Sequence, residues 1–395
     1  MYITEQYLLL RTINHFVEKL SYQIVYVSKN RDEYILHKHD RKVSQIIRLK
    51  RQTFDWSNHL KQDIEQRISA ILRQKSLIKK GKSIQMHFVY VSDLAPVDDF
   101  DSLKNTIKVK QSKPTFVNMY YLDQKNRQDE WQRFISNMED GHDYLLTDIP
   151  SVEEQEKQTM YLEQKMSAKL FQKQKEIQQI FSYGKTRLTF LLIFINLVIF
   201  SLLELNGGST NVRNLIDWGA KFNPKIVEGE WWRIISSMFL HIGPFHLFMN
   251  MIALYYLGDL TEKIYGTKRF FMIYFLAGIF GSVASFATND SVSAGASGAI
   301  FGLFGALLFF GIHYKDIFFK TMGLNLIIVI GINIVFGLTV PQIDNGAHIG
   351  GLIGGLMASQ IVHLPNKKAR VLQTVALFTF LIVMSMMFLY GLNNA

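Results

Sequence analysis

Seven stretches of the chain are apolar over nearly the length of a membrane helix: 188–205, 244–260, 270–287, 296–312, 324–340, 347–363 and 371–391. A helix needs roughly 20 mostly apolar residues to cross about 30 Å of hydrocarbon. Several of the seven are rich in glycine and marginal in length. Any one alone would suit a water-soluble core, but seven in succession do not. The first half of the chain has other periods. Residues 4–19 carry Leu8, Leu9, Ile13, Phe16 and Val17 at helical spacing, with Leu20 just beyond. Alternating or β-rich runs follow at 22–27, 34–37 and 43–49, then a charged amphipathic helix at 56–79, then strand-like runs at 84–91 and 115–122. That order predicts a small soluble α/β domain over 1–150. The stretch 151–187, dense in Gln, Glu and Lys, predicts a helical stalk. The expected fold class is a polytopic α-helical membrane domain of seven spans preceded by this small α/β domain.

Composition sharpens the division. Residues 1–187 hold 31 Lys and Arg, 24 Asp and Glu and 3 glycines, whereas 188–395 hold 12, 9 and 23. The chain has no cysteine, which excludes a disulfide scaffold, a thiol nucleophile and a thiolate metal site. The positive balance in both halves suits an anionic membrane face better than nucleic acid, because the second half is so apolar. The first 20 residues lack a long apolar core and a small-residue cleavage site, so no signal peptide is expected there.

Loop charges orient the spans. With the N-terminus inside, the inner loops hold Lys263, Lys268 and Arg269, then Lys315 and Lys320, then Lys367, Lys368 and Arg370. The outer loops at 288–295 and 341–346 and the tail after 391 hold none. Lys and Arg are retained on the cytoplasmic side, so the expected topology is N-terminus inside and C-terminus outside. The long segment 206–243 breaks the pattern with Arg213, Lys221, Lys225 and Arg233.

Chemistry is weakly signalled in the soluble half. His37, His39 and Asp40, or Asp98, Asp99 and Asp101, have spacings that would bind a cation, but alternate strand residues and acidic loops are more often solvated surface. Lys79, Lys80 and Lys82 read as a plain basic loop rather than a nucleic-acid or lipid site. A cytosolic ligand or partner of this domain stays open.

The membrane half is more informative, because ionisable side chains inside spans are costly and therefore functional candidates. Ser297 begins the fourth span, His348 the sixth, and His246 and Asn250 sit one helical turn apart at the start of the second. In the topology above all three spans run inward, which puts the four residues at similar shallow depth below the outer surface. A serine hydroxyl becomes a nucleophile when a base takes its proton, and imidazole is suited to that near neutral pH. Small-residue faces (Gly298/Gly302, Gly350/Gly354 and Gly351/Gly355) would let the fourth and sixth helices approach closely. Free N–H groups at the helix start beside Ser297 would receive an oxyanion, and His246 and Asn250 offer two more donors. Each element alone has an ordinary reading: packing for the serine segment, a metal or proton relay for the histidine, a helix contact for Asn250. The combination is harder to dismiss.

Together these residues resemble the rhomboid intramembrane serine proteases. The resemblance rests on Gly295-Ala-Ser297-Gly298, Ala347-His348-Ile-Gly-Gly351 and His246-x-x-x-Asn250, and extends to Glu230-Trp-Trp232-Arg233 and Glu262-Lys-x-x-Gly266. It implies a six-helix protease core over 188–363, with an inner loop and an additional C-terminal transmembrane helix over 364–395. It implies Ser297 as nucleophile and His348 as general base, a dyad without an acidic third member, with His246, Asn250 and the Ser297 N–H as oxyanion hole. His241, Arg233 and Trp232 look like loop-shaping residues, and Gly295 and Gly298 flank the serine. Phe301 stands where many members have tyrosine, so a ring can still pack on His348 but its hydroxyl is absent. The resemblance implies transmembrane protein substrates of a single span in a lipid bilayer, and no metal or cofactor. The other function class it leaves open is a non-cleaving adaptor that holds membrane proteins on the same scaffold; the presence of both serine and histidine speaks for the enzyme.

Overall fold

The computed structural model describes residues 2–39, 43–74, 77, 82–110, 113–138, 149–340, 343–367 and 369–394. Two compact units divide between Lys173 and Gln174.

The first unit is an α/β domain around a six-stranded sheet: β1 Gln23–Val27, β2 Glu33–His39, β3 Val43–Arg51, β4 Ser83–Val91, β5 Ile107–Val109 and β6 Thr115–Leu122, in the order β1-β2-β3-β4-β6-β5. β3, β4 and β6 run parallel, and the remaining pairs are antiparallel. A parallel pair needs a crossover, and helix Ser57–Arg73 supplies it between β3 and β4. The central strands are buried on both faces, as parallel strands usually are. Phe88 and Tyr90 face helix Ser57–Arg73, whereas Val89 and Val91 face helix Tyr2–Glu18. The strands at 84–91 and 115–122 lie where alternation predicts them. Two elements escape the sequence reading. β5 is only three residues long, and helix Arg127–Ser136 is mostly polar, anchored by Trp131, Phe134 and Ile135. The amphipathic helix expected over 56–79 ends at Arg73.

The first compact unit runs past residue 150, to Lys173. Helix Val152–Phe181 does form over the polar stretch, but it is not a free stalk from its start. Leu162 and Met166 are buried in the first unit's core, and Glu163 and Ser167 accept hydrogen bonds from Gln6 and Arg31. Asp98 takes both the N–H and the hydroxyl of Ser57, and Asp101 pairs with Lys104, so these carboxylates are committed locally. His37 bonds Ser44. Asp40, Lys79 and Lys80 lie outside the described residues. Among the described residues no group of three His, Asp or Glu side chains is placed to hold a metal.

In the second unit a helix occupies each of the seven apolar stretches: Leu188–Leu205, Gly243–Tyr265, Thr267–Thr288, Ser297–His313, Gly323–Thr339, Asn345–Val362 and Arg370–Asn394. By length and apolarity three of these would cross a membrane alone, and five if two bent helix pairs count as spans. Ser297–His313 is 17 residues, about 25 Å at the α-helical rise. It is also the most enclosed helix, with almost every residue from Gly298 to Gly311 buried. Asn345–Val362 is diluted by glycines that serve packing. Gly351 and Gly355 lie so close to the carbonyls of Gly298 and Gly302 that an added Cβ would sit 2.0 and 2.1 Å from those oxygens. Gly350 and Gly354 instead face Ala284 and Phe280 of helix Thr267–Thr288. The two glycine faces of one helix thus serve two different neighbours.

Candidate active site

Ser297 opens its helix with Ala296 as N-cap, and no side chain caps that end. The first N–H groups of an α-helix have no partner within it, so they are available beside the serine hydroxyl. The loop leading in is extended and tightly held. Gly295 donates its N–H to Ser237 O at 2.9 Å, and Ala296 donates to His241 Nε2 at 3.4 Å. Gly295 has φ +149°, and a Cβ there would meet His246 Cε1 at 2.8 Å and Nε2 at 3.0 Å. The same point lies 3.7 Å from Ser297 Oγ. Only glycine fits between the His246 ring and the serine.

His348 comes one turn into helix Asn345–Val362 and donates its N–H to Asp344 O. Its ring stacks on Phe301, with centroids 4.1 Å apart and planes 12° from parallel. Phe301 follows Ser297 by one helical turn on the same face. The stacked ring fixes the imidazole beside the start of the serine helix, and close glycine packing holds the two backbones together. Phenylalanine does this without a hydroxyl.

His246 accepts the Ile242 N–H at Nδ1 (3.3 Å). That bond places the ring proton of a neutral imidazole on Nε2, the atom beside Gly295 and Ser297, where it serves as a donor. Asn250 is buried and donates one Nδ2 proton to His246 O at 2.9 Å, leaving the other free. His241 packs edge-on to His246, with centroids 5.3 Å apart. Behind the serine lies a small polar cavity bordered by Ser237, Ser282, Ser285 and Ser293, large enough for a water molecule.

The loop-shaping residues sit to one side. Arg233 is buried and donates to Ile216 O (2.6 Å), Ala220 O (3.2 Å) and Glu230 (2.8 Å), with its guanidinium over the Trp232 ring. It fixes the turn of segment 206–243 rather than reaching the serine. Glu262 is fully buried and caps helix Leu188–Leu205, accepting from the N–H groups of Leu188 and Thr189.

Sequence reasoning missed Lys221 and the part played by Asp344. Lys221 is 1 % exposed. Its ammonium donates to Asn223 Oδ1 and to the carbonyls of Asn289 and Ser291 in the loop before the serine. The one available signal was that Lys221 and Arg233 break the loop-charge pattern. Both are buried structural cations.

Residues 228–365 match the family model described as Rhomboid domain. Rhomboid protease GluP of Bacillus subtilis (strain 168) is 36% identical over 377 residues, covering 92% of this chain and 70% of that protein. In Arabidopsis thaliana, RHOMBOID-like protein 5 is 38% identical over 151 residues (37% of this chain, 48% of that protein). RHOMBOID-like protein 6, mitochondrial, is 40% identical over 144 residues (35% and 45%). A relative this similar over nearly the whole length, joined to a domain match that contains both the serine and the histidine, shows that this chain belongs to the rhomboid family of intramembrane serine proteases.

Proposed function

We propose that the protein is an intramembrane endopeptidase that hydrolyses peptide bonds in or near transmembrane segments of other membrane proteins, with Ser297 and His348 as its dyad. The observation that carries this reading is the stacking of His348 on Phe301, one turn from Ser297, between two helices packed backbone to backbone. Ser297 Oγ attacks the scissile carbonyl carbon while His348 takes its proton. The carbonyl oxygen becomes an oxyanion held by His246 Nε2–H, the free Asn250 N–H and the Ser297 N–H. His348 returns its proton to the departing amine, leaving an acyl-enzyme on Ser297. A water from the polar cavity then gives its proton to His348 and its oxygen to the acyl carbon, releasing the new carboxyl terminus and restoring the serine.

In this reading all seven helices span the bilayer, with the N-terminus inside and the C-terminus and active site toward the outer face. The substrate is a single-span protein whose helix unwinds locally at the cleaved bond. Retention of both dyad residues favours cleavage over a holding role. Exposure to a fluorophosphonate probe, followed by peptide mapping, tests the assignment. Modification is expected on Ser297 and lost in His348→Ala; a probe adduct elsewhere, or undiminished labelling of His348→Ala, would refute it.

A further inference from the structure

The two helices that carry Ser297 and His348 both begin at loops, and the structure ties those loops to one buried lysine and one half-buried carboxylate. Lys221 lies in the segment between the first two membrane helices. Its backbone forms a two-bond bridge with Ser293 (2.9 and 3.0 Å), and its ammonium holds the carbonyls of Asn289 and Ser291. Asn223, which also accepts from the ammonium, donates to Phe286 O and Asp290. These bonds fix residues 289–293, immediately before the serine helix.

Asp344 performs the corresponding task for the histidine helix. Its Oδ1 accepts the Ala347 N–H at 2.9 Å, capping the helix four residues before His348, and its Oδ2 accepts from the Ser285 hydroxyl. A carboxylate at this end is favoured by the helix dipole. Burial pushes the Lys221 ammonium down to about 8, opposed by the carboxylates of Asp344 and Asp290. Burial would also raise the Asp344 carboxyl, but the bonds from Ser285 and Ala347 and the charge of Lys221 hold it below the usual carboxylate range. The two anchors meet at one helix end: Asp344 holds Ser285, and Asn223, bonded to the Lys221 ammonium, holds the next residue, Phe286.

We propose that Lys221 and Asp344 are a positioning pair that sets the start of the serine helix against the start of the histidine helix. Neither is a catalytic residue. Lys221 anchors the loop before Ser297, Asp344 caps the helix of His348, and their opposite charges couple the two anchors. The inference rests on the Ser297–His348 reading. It predicts a defect in the chemical step rather than in substrate capture.

The test compares full-length Lys221→Met, Asp344→Asn, the double variant and Ser297→Ala in detergent or liposomes. The readouts are kcat and KM on one single-span substrate, fluorophosphonate labelling rate and thermal unfolding. Each single variant is expected to lower kcat and labelling roughly 10- to 100-fold, the scale of a small misplacement of catalytic groups, with KM unchanged. The double variant is expected to be no slower than the worse single variant, as for two residues serving one coupling. Asp344→Asn keeps the side-chain volume and a capping oxygen, so it decides alone should Lys221→Met fail to fold. Wild-type kcat in Asp344→Asn, a defect confined to KM, or losses that multiply in the double variant would overturn the pair. If Ser297→Ala still cleaves, the dyad reading itself fails; if it is inactive while Asp344→Asn and Lys221→Met match wild type, only the positioning pair fails.

Discussion

At the scale of single residues, the site is made of polar groups where polar groups are expensive. Ser297, His348, His246 and Asn250 were legible because each interrupts an apolar run, and a membrane span tolerates such a residue only for a reason. The Phe301 ring was legible only through the family resemblance. Lys221 was not, since a lysine in a loop is ordinary until the fold shows it buried. Asp344 stands four residues before His348 in the sequence, but its capping of Ala347 and bond to Ser285 depend on where helix Thr267–Thr288 lies. Asn250 gives the sharpest prediction at this scale. In the proposed mechanism its free Nδ2 proton is one of three oxyanion donors, and loss of one such donor costs about 3 kcal/mol, or roughly 100-fold in kcat. Asn250→Ala should show that loss with an unchanged melting temperature, measured by substrate turnover and thermal unfolding in parallel. Wild-type turnover would remove Asn250 from the oxyanion hole.

At the scale of elements, what matters is how closely the serine and histidine helices approach. Small-residue spacing in the sequence indicated glycine faces, but only the structure assigns Gly351 and Gly355 to the serine helix and Gly350 and Gly354 to helix Thr267–Thr288. Gly351→Val would drive a side chain into the Gly298 carbonyl. It is expected to lower the melting temperature and abolish probe labelling of Ser297 together. Gly331, on helix Gly323–Thr339, has open space where a Cβ would stand. Gly331→Ala should leave stability unchanged or raise it by a fraction of a kcal/mol, since alanine is the better helix former by about 1 kcal/mol. Equal melting temperatures for the two variants would contradict the packing. In the α/β domain, alternation located the strands, whereas helix Arg127–Ser136 eluded it because three anchoring side chains among polar residues make too faint a period.

At the scale of the whole molecule, the shift in charge and glycine content marks two regions, and the first compact unit extends to Lys173, into the polar stretch. Polar composition is a poor guide where a helix buries only a narrow stripe, as Leu162 and Met166 do. The α/β unit has its own acid response. His87 is buried against Tyr120 and Phe134, and burial pushes its imidazole down to about 4. The unfolded chain therefore takes the proton first, so stability present above pH 6.5 is lost as pH falls toward 4. Asp63 acts lower. Burial would raise its carboxyl, but bonds from Arg48, Lys50 and Tyr90 hold it down to about 2, so its contribution is lost only below about pH 4. Hydrogen exchange of β4 amides should show protection falling between pH 6.5 and 4 in the wild type and a shallower fall in His87→Phe. Parallel profiles would show that His87 does not set this response.

The central claim is that Ser297, activated by His348, cuts membrane protein chains. Cleavage of a single-span test protein reconstituted in liposomes, compared among wild type, Ser297→Ala and His348→Ala, tests it most directly. Cleavage by the wild type alone, with all three proteins equally folded, is the expected result; undiminished cleavage by Ser297→Ala, or binding without cleavage by the wild type across diverse substrates, would contradict it.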